Sequence, residues 1–506
     1  GYTGQRDSRC TVVRANHPSA ELPFAKELID AEIAGELAKG RMAGPFALPA
    51  SAQHRRQRGD HMWSSPAVPF AFFMTSPVAV VPKPGGDGWR IIDDLSKGDN
   101  AVNASIDEKV VKLRYEQFQA ALDMVVKLGR GCELAKIDWK SAFRQIAVHA
   151  DDCCVLGISW RGKLFFRLVL PFGIRSAPFL FTEYAAALIW KMRSLGFDVT
   201  YYLDDILLGG AKGTGKCAAA VAELERLGAK LGIQYHPTKR DGPTTTIVFR
   251  GIGIDTIRMV LFIPEDKVVK ANRAIAAVLS AHNRHAFLKQ LQKCVGLLNF
   301  LAMAVPNGRA MMRRLYAFFK KKYAESAEEF TIPVEVWEDL VWWQQCVQFT
   351  HQRTIFPIVA AEDSFQIHTD ACQTGGGAVL FDRSFRIVGW FAFPWRSLPL
   401  SESMMASMPA LEAFAFVVAL LTFSPAIAGR RLLLSSDALT AVDALAWESS
   451  SSQHLTVLLR VAYATAINSS VLLRVVHIQG TRNILADKAS RLFVDDDVQA
   501  MQQRRQ

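Results

Sequence analysis

Short apolar runs that end on acidic side chains are the dominant pattern of this chain. In the first half such runs lead up to Asp138 and to the adjacent pair Asp204 and Asp205, and more apolar residues follow the pair directly. The stretch 198–210 therefore predicts two short strands joined by a tight turn that carries both carboxylates. Because burying carboxylates without compensation is very costly, the turn indicates a metal site.

The second half contains another acidic set with a similar placement. Apolar runs end on Asp370 and on Asp437, Glu412 lies at the start of an apolar helix, and Asp487 closes a stretch that begins at His477. These four carboxylates thus lie at predicted strand ends and helix starts.

The remaining periodicity predicts one hairpin and several helices. Alternating apolar residues around a Gly-rich turn predict a β-hairpin over 76–95, with Lys83 and Arg90 on either side of the turn. Apolar residues at helical spacing predict helices over 28–39, 181–193 and 218–231, over most of 262–323, and in a helix-like segment after Asp138.

Two uncharged stretches, 64–82 and 413–429, bear on membrane insertion. Prolines interrupt both, and both fall at or below the roughly 20 residues that a spanning helix requires. We interpret them as buried segments of a water-soluble protein and expect no membrane partner.

The composition of the chain indicates the class of its binding partner and its cellular compartment. The chain has 506 residues and a formal net charge of +11, which favours a polyanionic partner such as nucleic acid. Its eight cysteines are scattered without a CxxC pair, as in reduced intracellular proteins. The chain begins with Gly1 and shows no signal peptide, which is typical of a processed polyprotein product.

The first acidic set has the chemistry of a magnesium site. Asp138, Asp204 and Asp205 offer three hard oxygen donors, which suit Mg²⁺ with waters and substrate phosphates as its other ligands. Two such ions about 4 Å apart form a phosphoryl-transfer site. The alternative, three solvated surface aspartates, is disfavoured by the apolar flanks.

Motifs around these residues resemble those of reverse transcriptases. Tyr202-Leu-Asp-Asp resembles the YxDD motif, the stretch 76–90 resembles the fingers segment, and Leu-Pro-Phe-Gly at 170–173 resembles the template-side motif. The block around Asp138 resembles the first catalytic motif, and the blocks run from 76 to 255 in the family's order. The resemblance implies that the three aspartates bind the catalytic metal ions, Mg²⁺ with Mn²⁺ as an alternative.

The same resemblance implies a set of substrate contacts. These fall on Lys83, Arg90, Phe143, Phe172, Gly173, Tyr202, Lys239, Phe249 and Gly251. Lys83 and Arg90 would hold the nucleotide triphosphate, and Phe143 would be the steric gate under the sugar. Lys239 would act near the leaving pyrophosphate, and the turn from Phe249 to Gly251 would grip the primer. Phe172 stands where retroviral relatives carry glutamine.

The second acidic set resembles that of ribonucleases H. Asp370, Glu412, Asp437 and Asp487 fall on that family's four metal ligands, and His477 falls on its histidine that helps proton transfer or product release. Ala438 departs from the small polar residue often found after the third ligand, which leaves substrate contact there in doubt.

These resemblances imply an α+β protein with a right-hand polymerase (fingers, palm and thumb) followed by an α/β ribonuclease H-like domain. The expected divisions are an N-terminal extension (1–65), fingers and palm (66–255), thumb (256–323), connection (324–362), ribonuclease H (363–494) and a tail (495–506).

The expected function is DNA synthesis from a primer on RNA or DNA templates, with cleavage of the RNA strand of hybrids. Expected partners are an RNA template, a DNA primer, an RNA–DNA hybrid and deoxynucleoside triphosphates, with a homodimer or polyprotein neighbours left open. The spacing favours an LTR-type (Ty3/gypsy-like) or DIRS-like retrotransposon. The location is intracellular, with a cytoplasmic particle and the nucleus both open.

Two other functions compete with this one. A domesticated polymerase that only binds nucleic acid would have lost carboxylates, and none is lost. A phosphate-loop ATPase is suggested by the glycines before Lys216, but Cys217 replaces the Ser or Thr that such a loop needs.

Overall fold

The computed structural model describes most of the chain in two compact units. The described residues are 12–47, 68–70, 72–83, 88–98, 100–109, 111–113, 115–280, 282–305, 308–349, 352–355, 365–446, 450, 452–469 and 471–493. The first unit comprises Gly1–Met124 and Cys132–Thr244, and the second comprises Val125–Gly131 and Thr245–Gln506. The expected domain divisions remain a prediction, and the expected tail (495–506) lies outside the described residues.

The first unit alternates strands and helices. Its helices are α1 (Pro23–Ala38), α2 (Phe118–Leu128, which crosses the division between the units), α3 (Ala150–Cys153), α4 (Ala177–Ser194) and α5 (Lys216–Leu231). Its strands are β1 (Met42–Ala47), β2 (Val78–Pro82), β3 (Trp89–Asp93), β4 (Glu133–Trp139), β5 (Gly157–Trp160), β6 (Lys163–Arg167), β7 (Asp198–Tyr202), β8 (Asp205–Gly210) and β9 (Tyr235–Thr244).

A four-stranded sheet of order β7-β8-β4-β9 carries the first acidic set. Helices α4 and α5 pack on it, and its core includes the fully buried Trp139 and Phe181, whose rings meet edge to face. The helices at 181–193 and 218–231 are confirmed. The segment after Asp138 is shorter than predicted, because Ser141 adopts a left-handed conformation and only one 3₁₀ turn, Ala142–Gln145, follows.

Helix α1 supports the hairpin region. Its residues Ala25, Ile29 and Ile33 recur at four-residue steps and are buried in one cluster with residues of β1, β2, β5 and β6. The helix begins earlier than predicted, at Pro23, since proline is well suited to a first helical turn. Strands β2 and β3 pair antiparallel, which confirms the predicted hairpin.

The second unit contains a helical part and a large sheet. Its helices are α6 (Glu265–Leu279), α7 (Leu288–Leu301), α8 (Gly308–Ala324), α9 (Val334–Phe349), α10 (Glu402–Met405), α11 (Met408–Ile427), α12 (Leu439–Ala446), α13 (Gln453–Asn468) and α14 (Ile484–Ser490). Its strands are β10 (Thr246–Phe249), β11 (Ile252–Asp255), β12 (Val260–Phe262), β13 (His285–Phe287), β14 (Glu329–Thr331), β15 (Gln352–Thr354), β16 (Phe365–Ala371), β17 (Gly375–Phe381), β18 (Ile387–Pro394), β19 (Arg431–Ser436) and β20 (Leu472–His477).

The large sheet has the order β18-β17-β16-β19-β20. Strands β16 to β18 form an antiparallel meander, whereas β19 runs parallel to β16 and β20 parallel to β19. This order and these directions define a ribonuclease H-like fold. Helix α14 lies close on β17 because that strand is glycine-rich: a Cβ on Gly377 would stand 2.6 Å from the Cβ of Ala489.

Helix α11 is long and apolar enough to span a membrane. It is also the central core helix of this unit, because Phe416, Leu420 and Phe423 are buried in one cluster with residues of β16, β19 and α13. Core helices of globular proteins can be as long and as apolar, so the helix is explained by the fold that surrounds it.

A buried acid ties the helical part of this unit to the large sheet's helices. Asp339 on α9 is fully buried and accepts two hydrogen bonds from the guanidinium of Arg314 on α8, at 2.6 and 3.0 Å, and others from Arg460 on α13. The guanidinium of Arg314 is therefore committed to Asp339 within the protein.

Candidate active sites

Strand register brings the first acidic set together. Asp138 on β4 is the direct partner of Asp205 on β8, and Asp205 in turn pairs with Tyr202 across the hairpin. The backbone N–H of Trp139 donates to the carbonyl of Asp204 at 3.0 Å, which ties the turn to β4. Three carboxylates from two sequence regions therefore lie at one edge of one sheet.

The turn between β7 and β8 is tight and held from outside. Leu203 takes a positive φ of 52°, which is unfavourable for a branched side chain and must be compensated by its surroundings. Glu116 supplies part of that support, since it accepts hydrogen bonds from the Thr200 hydroxyl at 2.6 Å and from the Tyr201 N–H at 3.4 Å. The Tyr115 ring packs on Tyr202, with centroids 4.8 Å apart.

The electrostatics of this site favour a cation. Burial raises the pKa of Asp204 and of Asp205, and the neighbouring aspartates raise both further. Lys239 on β9 offsets part of this effect, since its ammonium group lies 3.3 Å from Asp138 Oδ2. Lys136 also lowers the pKa of Asp205. The three clustered carboxylates still offer the hard oxygen donors that suit a divalent metal ion.

The predicted triphosphate contacts lie on the hairpin of the first unit. Lys83 and Arg90 are both exposed, and Arg90 is the register partner of Val81. Gly173 is held near this hairpin, because a Cβ on it would stand 3.2 Å from the Asp93 carbonyl and its φ is +94°. Asn103 fixes the glycine loop by donating to the Gly173 carbonyl at 2.8 Å.

The aromatic residues predicted for the nucleotide site form a connected group. Phe143 meets Phe172 and Phe181 edge to face, with centroids 5.5 and 5.6 Å apart. Phe181 is fully buried, whereas Phe172 is 40% exposed. Phe143 therefore lies between the core and the surface, where one part of its ring is open.

The predicted primer grip lies in the second unit. Phe249 is fully buried, so its ring is not free to contact a primer, and only the backbone of this turn is left for that role. Gly251 has a φ of +76° and lies close to the Phe300 ring.

The second acidic set forms a tighter cluster. The carboxylates of Asp370, Glu412 and Asp437 lie within 4.8 Å of one another, and among the described residues no other group of three acidic, His or Cys side chains meets that distance. Asp370 and Glu412 are buried, on β16 and α11. Burial and the two neighbouring aspartates raise the pKa of Glu412 to about 8, and burial raises the pKa of Asp370 to about 6.

Hydrogen bonds orient each of these carboxylates. Ser490 Oγ donates to Asp370 at 2.5 Å, Ser436 Oγ donates to Glu412 at 3.4 Å, and the Asn483 amide donates to Asp437 at 3.1 Å. Three carboxylates so close together, two of them buried with a raised pKa, are a donor set that a hard divalent cation fits.

The two other predicted members of this site lie at its edge. Asp487 on α14 raises the pKa of Asp370 but forms its own ion pair with Arg491 at 2.7 Å. His477 is exposed at the end of β20, and its Nε2 lies 3.2 Å from the Asp437 carbonyl. The structure thus brings three of the predicted carboxylates together, and the fourth, Asp487, lies beside them.

Several supporting residues were not found from the sequence. Asn103, Glu116 and Asn483 act through partners that are distant in the chain, so no local pattern marks them. Ser490 has a detectable signal, because it follows Asp487 at helical i,i+3 spacing and therefore lies on the same face of α14.

Comparison with known proteins agrees with this geometry. Residues 81–254 match the family described as reverse transcriptase (RNA-dependent DNA polymerase). The chain contains a reverse transcriptase domain. This domain includes the first acidic set, the hairpin strand that carries Arg90, and the aromatic group around Phe143.

Its curated relatives are viral polyproteins and polymerases. The chain is 27% identical to the Pro-Pol polyprotein of feline foamy virus over 49% of its own length and 19% of that protein. It is 26% identical to Protein P of a hepatitis B virus over 44% of its length and 25% of that protein. The chain thus spans a quarter or less of these two relatives.

Solved structures support the fold of the reverse transcriptase domain and of the part that follows it. The foamy viral protease-reverse transcriptase in complex with double-stranded DNA is similar with a TM-score of 0.53, over 94% of this chain and 88% of that chain, at 16% identity. The complex of the same enzyme with an RNA/DNA hybrid gives 0.52 over 94% and 56%. The protein therefore has the predicted α+β class, a right-hand polymerase with a ribonuclease H-like fold.

Proposed function

We propose that this protein is an RNA-directed DNA polymerase that also degrades the RNA strand of RNA–DNA hybrids. The register that places Asp138 opposite Asp205, within the segment that matches the reverse transcriptase family, is the observation that supports the polymerase activity. The buried trio of Asp370, Glu412 and Asp437 on a ribonuclease H-like sheet supports the second activity.

In the polymerase site each group has a defined task. Asp138, Asp204 and Asp205 would hold divalent metal ions, Mg²⁺ or Mn²⁺, and Lys83 and Arg90 would bind the triphosphate. Lys239 would donate a proton toward the leaving pyrophosphate, which agrees with its position beside Asp138. When bound, the metal would supply the charge that stabilises the attacking and leaving oxygens of phosphoryl transfer.

In the second site the protein would orient the scissile phosphodiester against the carboxylate trio. Asp437 is the most open of the three, and His477 beside it is exposed. The imidazole of His477 would accept or release a proton there as the strand is cut and the product leaves.

The proposed partners are an RNA template, a DNA primer, the resulting hybrid and deoxynucleoside triphosphates. The net charge of +11 and the nucleic acids bound by the foamy viral enzymes support this. We infer an intracellular location, because seven of the described cysteines are free thiols and five of these are buried. We also infer an LTR-type or DIRS-like retrotransposon origin from the Leu-Pro-Phe-Gly motif, and a protease and an integrase segment in the flanking reading frame would support the LTR type.

Primer extension on an RNA template with Mg²⁺ tests the first activity, and release of fragments from a labelled RNA–DNA hybrid tests the second. Extension and cleavage by the purified full chain are the expected results. Tight hybrid binding without either reaction would instead support the alternative, a domesticated polymerase that acts as a nucleic-acid-binding protein.

A further inference from the structure

Arg144, the residue that follows the predicted gate Phe143, is held by two acids of the N-terminal helix α1. Its Nη1 lies 2.5 Å from Glu32 Oε1 and 3.1 Å from Glu36 Oε1. The two glutamates are four residues apart and therefore share one face of α1. This helix lies outside the matched segment 81–254.

The other side of the Arg144 guanidinium faces the nucleotide site. Its central carbon lies 5.5 Å from the centre of the Phe172 ring, within the range of a cation–π contact. Phe172 in turn meets Phe143 edge to face. A continuous set of contacts thus runs from Glu36 through Arg144 and Phe172 to Phe143.

The ion pair of Arg144 with Glu36 is largely buried, and apolar packing of α1 does not require a charged pair there. The Glu36 side chain is 2% exposed, and the Arg144 side chain is 15% exposed. Replacing such a buried ion pair by apolar residues is often neutral or stabilising, so the pair is weak evidence for a stability role. A planar guanidinium whose Nη1 contacts both acids contributes a defined direction.

The turn that carries Arg144 is held more firmly than the Phe172 ring that Arg144 contacts. The turn that carries Arg144 is pinned, because the Gln145 side chain bonds the Gln234 backbone through both its amide nitrogen and its oxygen. Phe172 instead follows Pro171 in an irregular segment and is half-exposed. The ring of Phe172 is therefore the element whose position depends on the Arg144 contact.

We propose that Arg144 is a positioning residue for the Phe172–Phe143 pair and that Glu32 and Glu36 of α1 hold it in place. The N-terminal helix would thus set how closely the aromatic pair approaches the sugar of the incoming nucleotide. This inference rests on the proposed polymerase function and deepens it, because it assigns sugar selection in part to residues outside the reverse transcriptase match.

The test measures selection between deoxyribonucleotides and ribonucleotides by Arg144→Lys and Glu36→Gln. Lysine keeps the charge that Glu36 requires but loses the planar group that covers Phe172, so folding should survive. We expect the deoxy-to-ribo ratio of kcat/KM to fall about tenfold, mainly through a higher KM for the deoxynucleotide, since small misplacements of positioning groups have effects of this order. Glu27→Gln, the same change at an exposed position of α1, should leave the ratio unchanged.

A second comparison separates positioning from simple stabilisation. In a Phe172→Ala background Arg144→Lys should cause no further loss of selectivity, because it acts through the missing ring. An equal loss in both backgrounds, or an unchanged ratio with a lower melting temperature, would overturn the inference.

Equilibrium binding of a deoxynucleotide and its ribonucleotide to the full chain on a chain-terminated primer–template gives a readout without turnover. If the wild type binds the deoxynucleotide more tightly and both variants reduce this preference, the inference is supported. If both variants keep the wild-type preference, the inference is overturned but the proposed function stands. A wild-type chain that binds neither nucleotide overturns the proposed function and the inference together.

Discussion

The two acidic sites are built in different ways. In the first, strand register places Asp138 beside Asp205, and the ammonium of Lys239 lies 3.3 Å from Asp138. In the second, Asp370, Glu412 and Asp437 come from two strand ends and one helix, and their oxygens already lie within 4.8 Å of one another. The first site has a cation of its own, whereas the second relies on hydrogen bonds from uncharged side chains.

This difference teaches what each site requires. Glu412, with its pKa raised to about 8, is mostly protonated at neutral pH unless a cation binds. The first set is more open and is completed by triphosphate oxygens in the proposed reaction. The second site is therefore preorganised for metal, and the first is expected to be completed by its substrate.

The largest expected effects come from removing one carboxylate in each site. Asp205→Asn should lower DNA synthesis about 10³-fold while leaving hybrid cleavage intact, and Asp370→Asn should do the reverse, since each residue belongs to only one metal-binding set. Primer extension and hybrid cleavage on the same preparations measure both. Loss of both activities in one folded variant would contradict two independent sites.

Lys239 sharpens the contrast, because Asp370, Glu412 and Asp437 accept their hydrogen bonds from Ser490, Ser436 and Asn483 instead of from an ammonium group. Lys239→Gln should lower the rate of nucleotide addition about 10²-fold, as expected when a general acid is lost, with hybrid cleavage unchanged. Arg240→Gln is the matched control, because its guanidinium pairs with Glu225 instead of an active-site aspartate. Single-turnover rates of nucleotide addition measure this effect. Equal losses of rate in Lys239→Gln and Arg240→Gln would refute the role of Lys239 as a general acid.

Glu412 sets a pH dependence in the metal-free protein. Its pKa is 4.5 in the unfolded reference and about 8 in the folded state, so the folded state binds more protons between these values. The free energy of unfolding should therefore fall as pH rises from 5 to 8, and the penalty is complete above about pH 8. Glu412→Gln should remove this term and stabilise the metal-free protein at pH 8 by up to about 4 kcal/mol, but not at pH 5.

Denaturant unfolding in a chelating buffer measures this effect. The same substitution at the exposed Glu402 should keep the wild-type pH profile. Added Mg²⁺ should reduce the wild-type penalty at pH 8, since an ion bound to the folded state stabilises it. A Glu412→Gln variant that follows the wild-type curve would show that the carboxyl is not destabilising.

The smallest expected effect concerns Phe143. Phe143→Val opens space under the sugar without altering Asp138, so synthesis should continue while discrimination against ribonucleotides falls about tenfold or more. Incorporation of each nucleotide class on one template measures it, and hybrid cleavage should not change. If synthesis continues and the ratio of deoxyribonucleotide to ribonucleotide incorporation does not change, Phe143 is a core residue that packs with Phe181 and not the steric gate.

Prediction from sequence succeeded where one local pattern carried the information. The hairpins at 76–95 and 198–210 and the strand that leads to Asp138 follow from alternation and turn residues, and the structure contains them. Prediction was weaker after Asp138, where a left-handed Ser141 restricts the expected helix to a single 3₁₀ turn. It also gave no sign of the pairing of Arg314 with the buried Asp339, which lies on another helix.

The sequence by itself determined the chemistry, because acidic residues at the ends of apolar runs and their local motifs are readable without a partner. The tertiary structure alone decided which groups meet: Asp138 with Asp205 through register, Ser490 with Asp370 through the approach of α14, and Arg144 with Glu36 through the packing of α1. Strand pairing and helix packing join residues distant in the chain, and no local periodicity records those distances.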